Sequence, residues 1–143
     1  MSYPQDPQCL FCKIVAGEIP CHKLYENEHV FAFLDIMPLS HGHLLVIPKG
    51  HYQTIDEMPE EVAAACGAVL PKMSRALVAA TGVQGWNVLQ NNGAVAGQVV
   101  GHVHFHLIPR SDSDGLGFRW PAGKLTDDDA ATLVKQITAA LDD

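Results

Sequence analysis

The chain has 143 residues, 48% hydrophobic and 17% charged, the size and composition of one folded domain with a real core. Its net charge of −7, with only nine scattered Lys and Arg residues, argues against a nucleic-acid polymer as partner, which needs clustered cations. No unbroken apolar run reaches the roughly 20 residues of a membrane helix, and Met1 to Gln8 lacks the parts of a signal peptide, so a cytoplasmic protein without membrane partners is expected.

In chain order, Phe11 to Ala16 reads as a short helix closed by Gly17, a residue suited to a left-handed cap. His22 to Tyr25 and Val30 to Leu34 read as strands around a turn at Asn27-Glu28. His43 to Ile47 is a third strand, nearly continuous in apolar character and therefore central, with Pro48 ending it. Pro59 then stands where a helix starts, with Glu60 and Glu61 against the positive end of its dipole. Val62, Cys66, Val69, Leu70, Met73 and Leu77 follow at helical spacing, and Gly82 is the stop. Pro71 removes one backbone hydrogen bond from this helix and predicts a kink or a break.

Trp86 to Gln90 is a fourth strand, Asn91 to Gly101 a glycine-containing loop, and His102 to Pro109 a fifth strand. After a polar stretch from Ser111 to Gly123, Thr126 and three aspartates open a last helix carrying Leu133, Val134, Ile137 and Leu141. Strands that do not alternate regularly with helices indicate an α+β fold. The expectation is a mainly antiparallel five-stranded sheet with one long helix and a C-terminal helix. With no repeat or long linker, residues 1–143 read as a single domain, its core at about 9–110 and a C-terminal extension with a helix at about 126–141.

The strongest chemical signal is His102-Val103-His104-Phe105-His106-Leu107-Ile108. In a strand, alternate side chains share a face, so three imidazoles would stand in a row while Val103, Phe105 and Leu107 enter the core. A neutral imidazole is a nucleophile and a proton carrier near neutral pH. Asn91, Gly93, Gly97 and Gln98 precede it in a loop that lets backbone and amides approach a phosphate. Cys9-x-x-Cys12 reads as a metal or redox pair, and Cys21 and Cys66 as small apolar residues.

The histidine motif resembles the His-φ-His-φ-His-φ-φ signature of the histidine-triad superfamily at all seven positions. Phe11-Cys12-Lys13-Ile14, Gly17-Glu18-Ile19-Pro20, Phe33-Leu34-Asp35-Ile36, Gly42 to Lys49, and Asn91-Asn92-Gly93 followed by Gly97-Gln98 look like family blocks in family order, over roughly residues 9 to 110. The resemblance implies that His104 attacks the α-phosphate of a bound nucleotide, giving a nucleotidyl-histidine that water or another acceptor resolves. His106 and His102 would flank it, and His43 would position the nucleophile or its water. Asp35 would take the ribose hydroxyls, with Phe11, Ile14, Ile19, Phe33 and Ile36 as an apolar slot for the base. Asn91, Gly97, Gln98 and the residue at position 99 would face the phosphate, together with His104 and His106. Position 99, a hydroxyl residue in many relatives, is Val99 here.

The resemblance also implies a structural zinc held by Cys9, Cys12, His51 and His102, with no catalytic metal, and a homodimer formed through the long helix and a strand. Ile108-Pro109-Arg110 looks more like the branches that hydrolyse dinucleoside polyphosphates than the purine nucleoside phosphoramidase branch, with Arg110 on the polyphosphate. A diadenosine polyphosphate is therefore the favoured substrate and the phosphoramidase reading the alternative. Two readings from other classes are a zinc-dependent hydrolase, with His102, His104 and His43 as ligands, and a non-catalytic nucleotide sensor.

Overall fold

A computed structural model describes residues 2–117 and 120–141. The chain opens with α1 (Leu10–Val15), capped by the Cys9 side chain, whose sulfur accepts from the Cys12 amide. Gly17 follows with φ +81°, the left-handed turn that releases the chain toward the sheet. Then come β1 (Lys23–Glu26), β2 (Val30–Leu34), β3 (Leu44–Pro48), α2 (Glu60–Thr81), β4 (Gly85–Gln90), β5 (Phe105–Arg110) and α3 (Asp127–Ala140). The sheet runs in the order β1-β2-β3-β5-β4, and every neighbouring pair is antiparallel. The α+β expectation is met.

Alternation along the strands separates two cores. Val30, Ala32, Leu44, Val46, Val103 and Leu107 face one side and pack with Val62, Cys66, Val69, Met73 and Leu77 of α2. Phe31, Phe33, Leu45 and Ile47 face the other side and pack with Phe11, Cys12 and Ile14 around α1. β3 is buried along its whole length because both layers cover it. Leu45 pairs with His106 across β3 and β5, so His106 stands on the α1 side, next to His43 one position before β3. The smaller core is thus the floor of the histidine cluster.

Two expectations are corrected. The fifth strand begins at Phe105, not His102, so only His106 of the three motif histidines lies in the ladder. Pro48 has no N–H to give, its carbonyl is taken by the His102 ring, and the Val103 amide goes to the Tyr52 carbonyl instead. α2 runs unbroken through Pro71. The carbonyl deprived of its partner belongs to Gly67, and both residues are exposed, so water can satisfy it. α2 is 22 residues long with a mean hydropathy of 1.3 over its most apolar window, long and apolar enough to cross a membrane by those measures alone, although charged residues interrupt its apolar run. Its buried stripe is the one packed on the sheet. α3, capped by Thr126, buries none of its residues, and Leu133, Val134, Ile137 and the following Leu141 are exposed.

Candidate active site and metal centre

His104 stands at the mouth of β5, 5% exposed, with its ring edge against Phe11 (centroids 5.2 Å apart) and His106 (4.9 Å). Its Nδ1 lies 2.7 Å from the main-chain oxygen of His102. A carbonyl oxygen only accepts, so Nδ1 carries the proton and Nε2 holds the lone pair. The atom of this imidazole that can act as nucleophile is thus specified by its own backbone.

The same reasoning orders its neighbours. The Leu39 amide donates to His43 Nδ1 at 3.0 Å, which puts the His43 proton on Nε2. That N–H donates to His106 Nδ1 at 2.9 Å, so His106 in turn carries its proton on Nε2. Asp35 Oδ2 lies 3.5 Å from His43 Nε2, and Oδ1 accepts from the Met37 amide at 2.8 Å. Burial lowers the His43 pKa, with Asp35 opposing it. Burial, then repulsion from His104 and His43, takes His106 down to about 4. The relay is neutral at pH 7, as a chain of single donors and acceptors requires.

His102 turns the other way. It is completely buried, donates from Nε2 to the Pro48 carbonyl at 2.9 Å, and aims the Nδ1 lone pair at Cys9 Sγ (3.4 Å) and Cys12 Sγ (3.7 Å). His51 Nδ1 lies 3.5 Å from Cys12 Sγ, and its Nε2 faces Asp6 at 3.9 Å. All four candidate ligand atoms fall within 4.8 Å of one another. Tetrahedral zinc, with Zn–S near 2.3 Å and Zn–N near 2.0 Å, spaces its ligands about 3.6 Å apart. His102 also holds an acceptor, the Pro48 carbonyl, on its second nitrogen, the support that fixes a metal-binding tautomer. Burial takes His102 down to about 4 and so keeps its lone pair free. The Cys9, Cys12, His51 and His102 set fits a closed structural zinc site. Asp35, His43 and His106 also lie close together, but the Leu39 amide already occupies the lone pair that His43 would offer a metal.

The geometry splits the motif that the zinc-hydrolase reading needs whole: His102 points to the cysteines, whereas His104 points to His106. Other expected residues take definite places. Phe11, Ile14 and Phe33 are buried in the smaller core, Ile19 packs half-buried against it, and Ile36 is 79% exposed at the rim. In the loop before the motif, Gly93 and Gly97 have φ of +90° and +96°, conformations that a side chain would strain. Gln98 braces this loop: both its amide hydrogens go to the carbonyls of Gln53 and Val100, and its oxygen accepts from the Gly93 amide. It therefore has no donor left for a phosphate. The Asn91 amide has no hydrogen-bond partner among the described residues, and Val99 is exposed.

Arg110 corrects another expectation. It forms a two-pronged ion pair with Asp114 (2.7 and 3.2 Å) and also donates to Asn87 and the Gly117 carbonyl. It clamps the segment after β5 onto β4 and does not reach toward the histidines. Two surface cavities, of about 1070 and 670 Å³, lie beside Arg110 and Trp86; neither is lined by a histidine. His22 and His41 are exposed and His29 half-buried, outside the cluster. The Leu39 amide and the Pro48 carbonyl are the functional groups that sequence reasoning missed. Main-chain atoms leave no mark in residue type.

Comparison with known proteins agrees with this geometry. The HIT domain family model matches residues 16–113. An adenylylsulfatase of Arabidopsis thaliana is 54% identical over 76% of the chain, which spans 55% of that longer relative. The adenosine 5'-monophosphoramidase of Schizosaccharomyces pombe is 44% identical over 93% of the chain and 98% of its own length. A crystal structure of a HIT family protein from Bacillus anthracis superposes with a TM-score of 0.90 at 42% identity, covering 95% of this chain and 99% of that one. A Zn-bound histidine triad family protein from Mycobacterium smegmatis does so with a TM-score of 0.72 at 35% identity, over 92% and 97% of the two chains. This chain belongs to the histidine-triad (HIT) family and is an enzyme of that family.

Proposed function

We propose that the protein hydrolyses nucleotide conjugates at the α-phosphate by two displacements through His104, and that its preferred substrates are adenosine 5'-phosphate derivatives with a small leaving group. The observation that carries this is the 2.7 Å hydrogen bond from His104 Nδ1–H to the His102 carbonyl, which leaves Nε2 as the free nucleophile. In the first step Nε2 bonds to phosphorus as the bond to the leaving group breaks, and that group departs with the bonding pair. Water then displaces Nε2, and the proton it sheds balances the one the leaving group acquires. His106 Nε2–H, oriented by His43, donates to a phosphate oxygen. In this reading Asp35 takes the ribose hydroxyls, and Phe11, Ile14, Ile19, Phe33 and Ile36 serve the base, the first four packed together in the smaller core and Ile36 exposed. Asn91, Gly97 and Val99 are assigned to the phosphate in the same reading.

The dinucleoside polyphosphate expected from Ile108-Pro109-Arg110 loses its main support, because Arg110 is engaged with Asp114 and Asn87. The relatives named as a phosphoramidase and an adenylylsulfatase favour the small leaving group. A kinetic panel of adenosine 5'-phosphoramidate, adenylyl sulfate and diadenosine polyphosphates on wild type and His104→Ala tests this reading. Turnover of the first two at the higher kcat/KM supports it; preference for the polyphosphates returns the earlier substrate, and undiminished turnover by His104→Ala removes the nucleophile.

Zinc at Cys9, Cys12, His51 and His102 would tie α1 to the motif and supply a cross-link, not a step in the reaction. A homodimer through α2 and β4 is also part of the proposal. β4 is an edge strand with Trp86 and Val88 exposed, next to an apolar groove that includes Pro71, Val78 and Ala79. A cytoplasmic location remains part of the same reading.

A further inference from the structure

His102 faces two sites at once. Its ring nitrogen Nδ1 lies against Cys9 and Cys12, and its main-chain oxygen holds the proton of the nucleophile, His104 Nδ1–H, at 2.7 Å. One residue therefore joins the metal centre to the reacting nitrogen with no intermediary. We propose that metal occupancy at Cys9, Cys12, His51 and His102 is coupled to nucleotide binding at His104 through His102, which acts as a positioning residue. The inference rests on the proposed role of His104 and adds to it a control that a purely structural metal would not exert.

The coupling follows from how His102 is held. It precedes β5, and its carbonyl shares a peptide plane with the Val103 N–H, which donates to the Tyr52 carbonyl at 2.8 Å. Its ring donates to the Pro48 carbonyl at one end and faces the two sulfurs at the other, and its amide donates to the Val100 carbonyl at 2.9 Å. A metal bond would replace the loose S···N contacts at that ring end with directional bonds. A shift of the ring end that is transmitted to the His102 main chain would move the carbonyl that receives the His104 proton, and with it the aim of Nε2. Phe11 strengthens the link, since its ring packs edge-on against both His102 (5.8 Å) and His104 (5.2 Å) and belongs to α1, which also carries Cys12. Nucleotide contact at His104 must then favour the metal-bound geometry as much as metal favours the nucleotide-bound one, because coupling between two sites is reciprocal.

The test measures that reciprocity, using zinc(II), cobalt(II) and adenosine 5'-monophosphate on the full chain. Zinc affinity is measured by competition with a chromophoric chelator, with and without the monophosphate. Monophosphate affinity is measured by calorimetry on the zinc-loaded and zinc-free protein. The expected result is an increase of about five-fold or more in each affinity, by the same factor. A change in the d–d absorption of the cobalt protein on adding the monophosphate is expected too. In His104→Ala, which keeps every metal ligand, the factor should fall toward one. If the zinc-free protein unfolds, slower release of zinc to the chelator in the presence of monophosphate reads the same linkage without an apo state. Zinc affinity and cobalt spectrum unmoved by the monophosphate would overturn the coupling, as would failure of the site to bind either metal. Formation of a nucleotidyl-His104 adduct in the same protein distinguishes that outcome from failure of the catalytic reading, in which no adduct forms.

Discussion

The two ends of one histidine motif differ more than their residue types suggest. At the His102 end an imidazole is wholly buried, bonded to the Pro48 carbonyl and aimed at two thiols. At the His106 end, an equally neutral imidazole takes its proton order from His43 and keeps an N–H directed away from it. Between them, His104 gives its proton to the backbone and keeps a lone pair. The difference teaches that the partner of the second ring nitrogen decides whether a histidine ligates, attacks or donates.

The comparison is broken most severely at its centre. His104→Ala removes the lone pair, and kcat is expected to fall about 10⁴-fold or more with monophosphate binding largely kept, read by steady-state kinetics and calorimetry. Next comes the buried end. Cys12→Ser should release zinc and lower the thermal midpoint by roughly 10 °C, and chelation of the wild type should do the same; metal analysis with calorimetric melting checks both. At the other end, His43→Ala leaves the His106 proton unassigned, and a loss of about a hundred-fold in kcat with little change in the melting temperature is expected.

A smaller effect sharpens the contrast by pH. His102 and His106 have folded-state pKa values near 4, below the ordinary 6.5, because burial opposes their charge. Between those values the unfolded chain binds more protons, so this contribution is complete above about 6.5 and is lost as pH falls toward 4. Melting curves should show the midpoint falling through that window, less steeply in His43→Ala. Smallest, and a control for both ends, Val88→Arg on the β4 edge should shift a dimer toward monomer in sedimentation while leaving the metal content unchanged.

Much of this arrangement was legible in residue order. The alternation of Val30, Ala32 and Leu34 against Phe31 and Phe33, and of Val103, Phe105 and Leu107 against the histidines, places the sheet faces because side chains alternate with period two. Gly82, at φ +69°, closes α2 where expected. The start of β5 was not legible, because it depends on where Pro48 ends the partner strand and on which carbonyl takes the Val103 amide. Gln98 and Arg110 were misplaced for a related reason. Each is a donor-rich side chain near a phosphate loop or a motif, and only three-dimensional proximity shows that Gln53, Val100, Asp114 and Asn87 already use those donors. Residue type states what a side chain can do; its neighbours state what remains for it to do.

The central claim is that the unprotonated nitrogen of the middle histidine becomes bonded to phosphorus. Rapid alkaline quench of the enzyme with radiolabelled adenosine 5'-phosphoramidate, followed by peptide mass analysis, measures this directly. The account predicts an acid-labile, base-stable nucleotidyl group on the peptide containing His104, absent from His104→Ala and formed at least as fast as turnover. Turnover without any such adduct, or an adduct on His102 or His106, would contradict it.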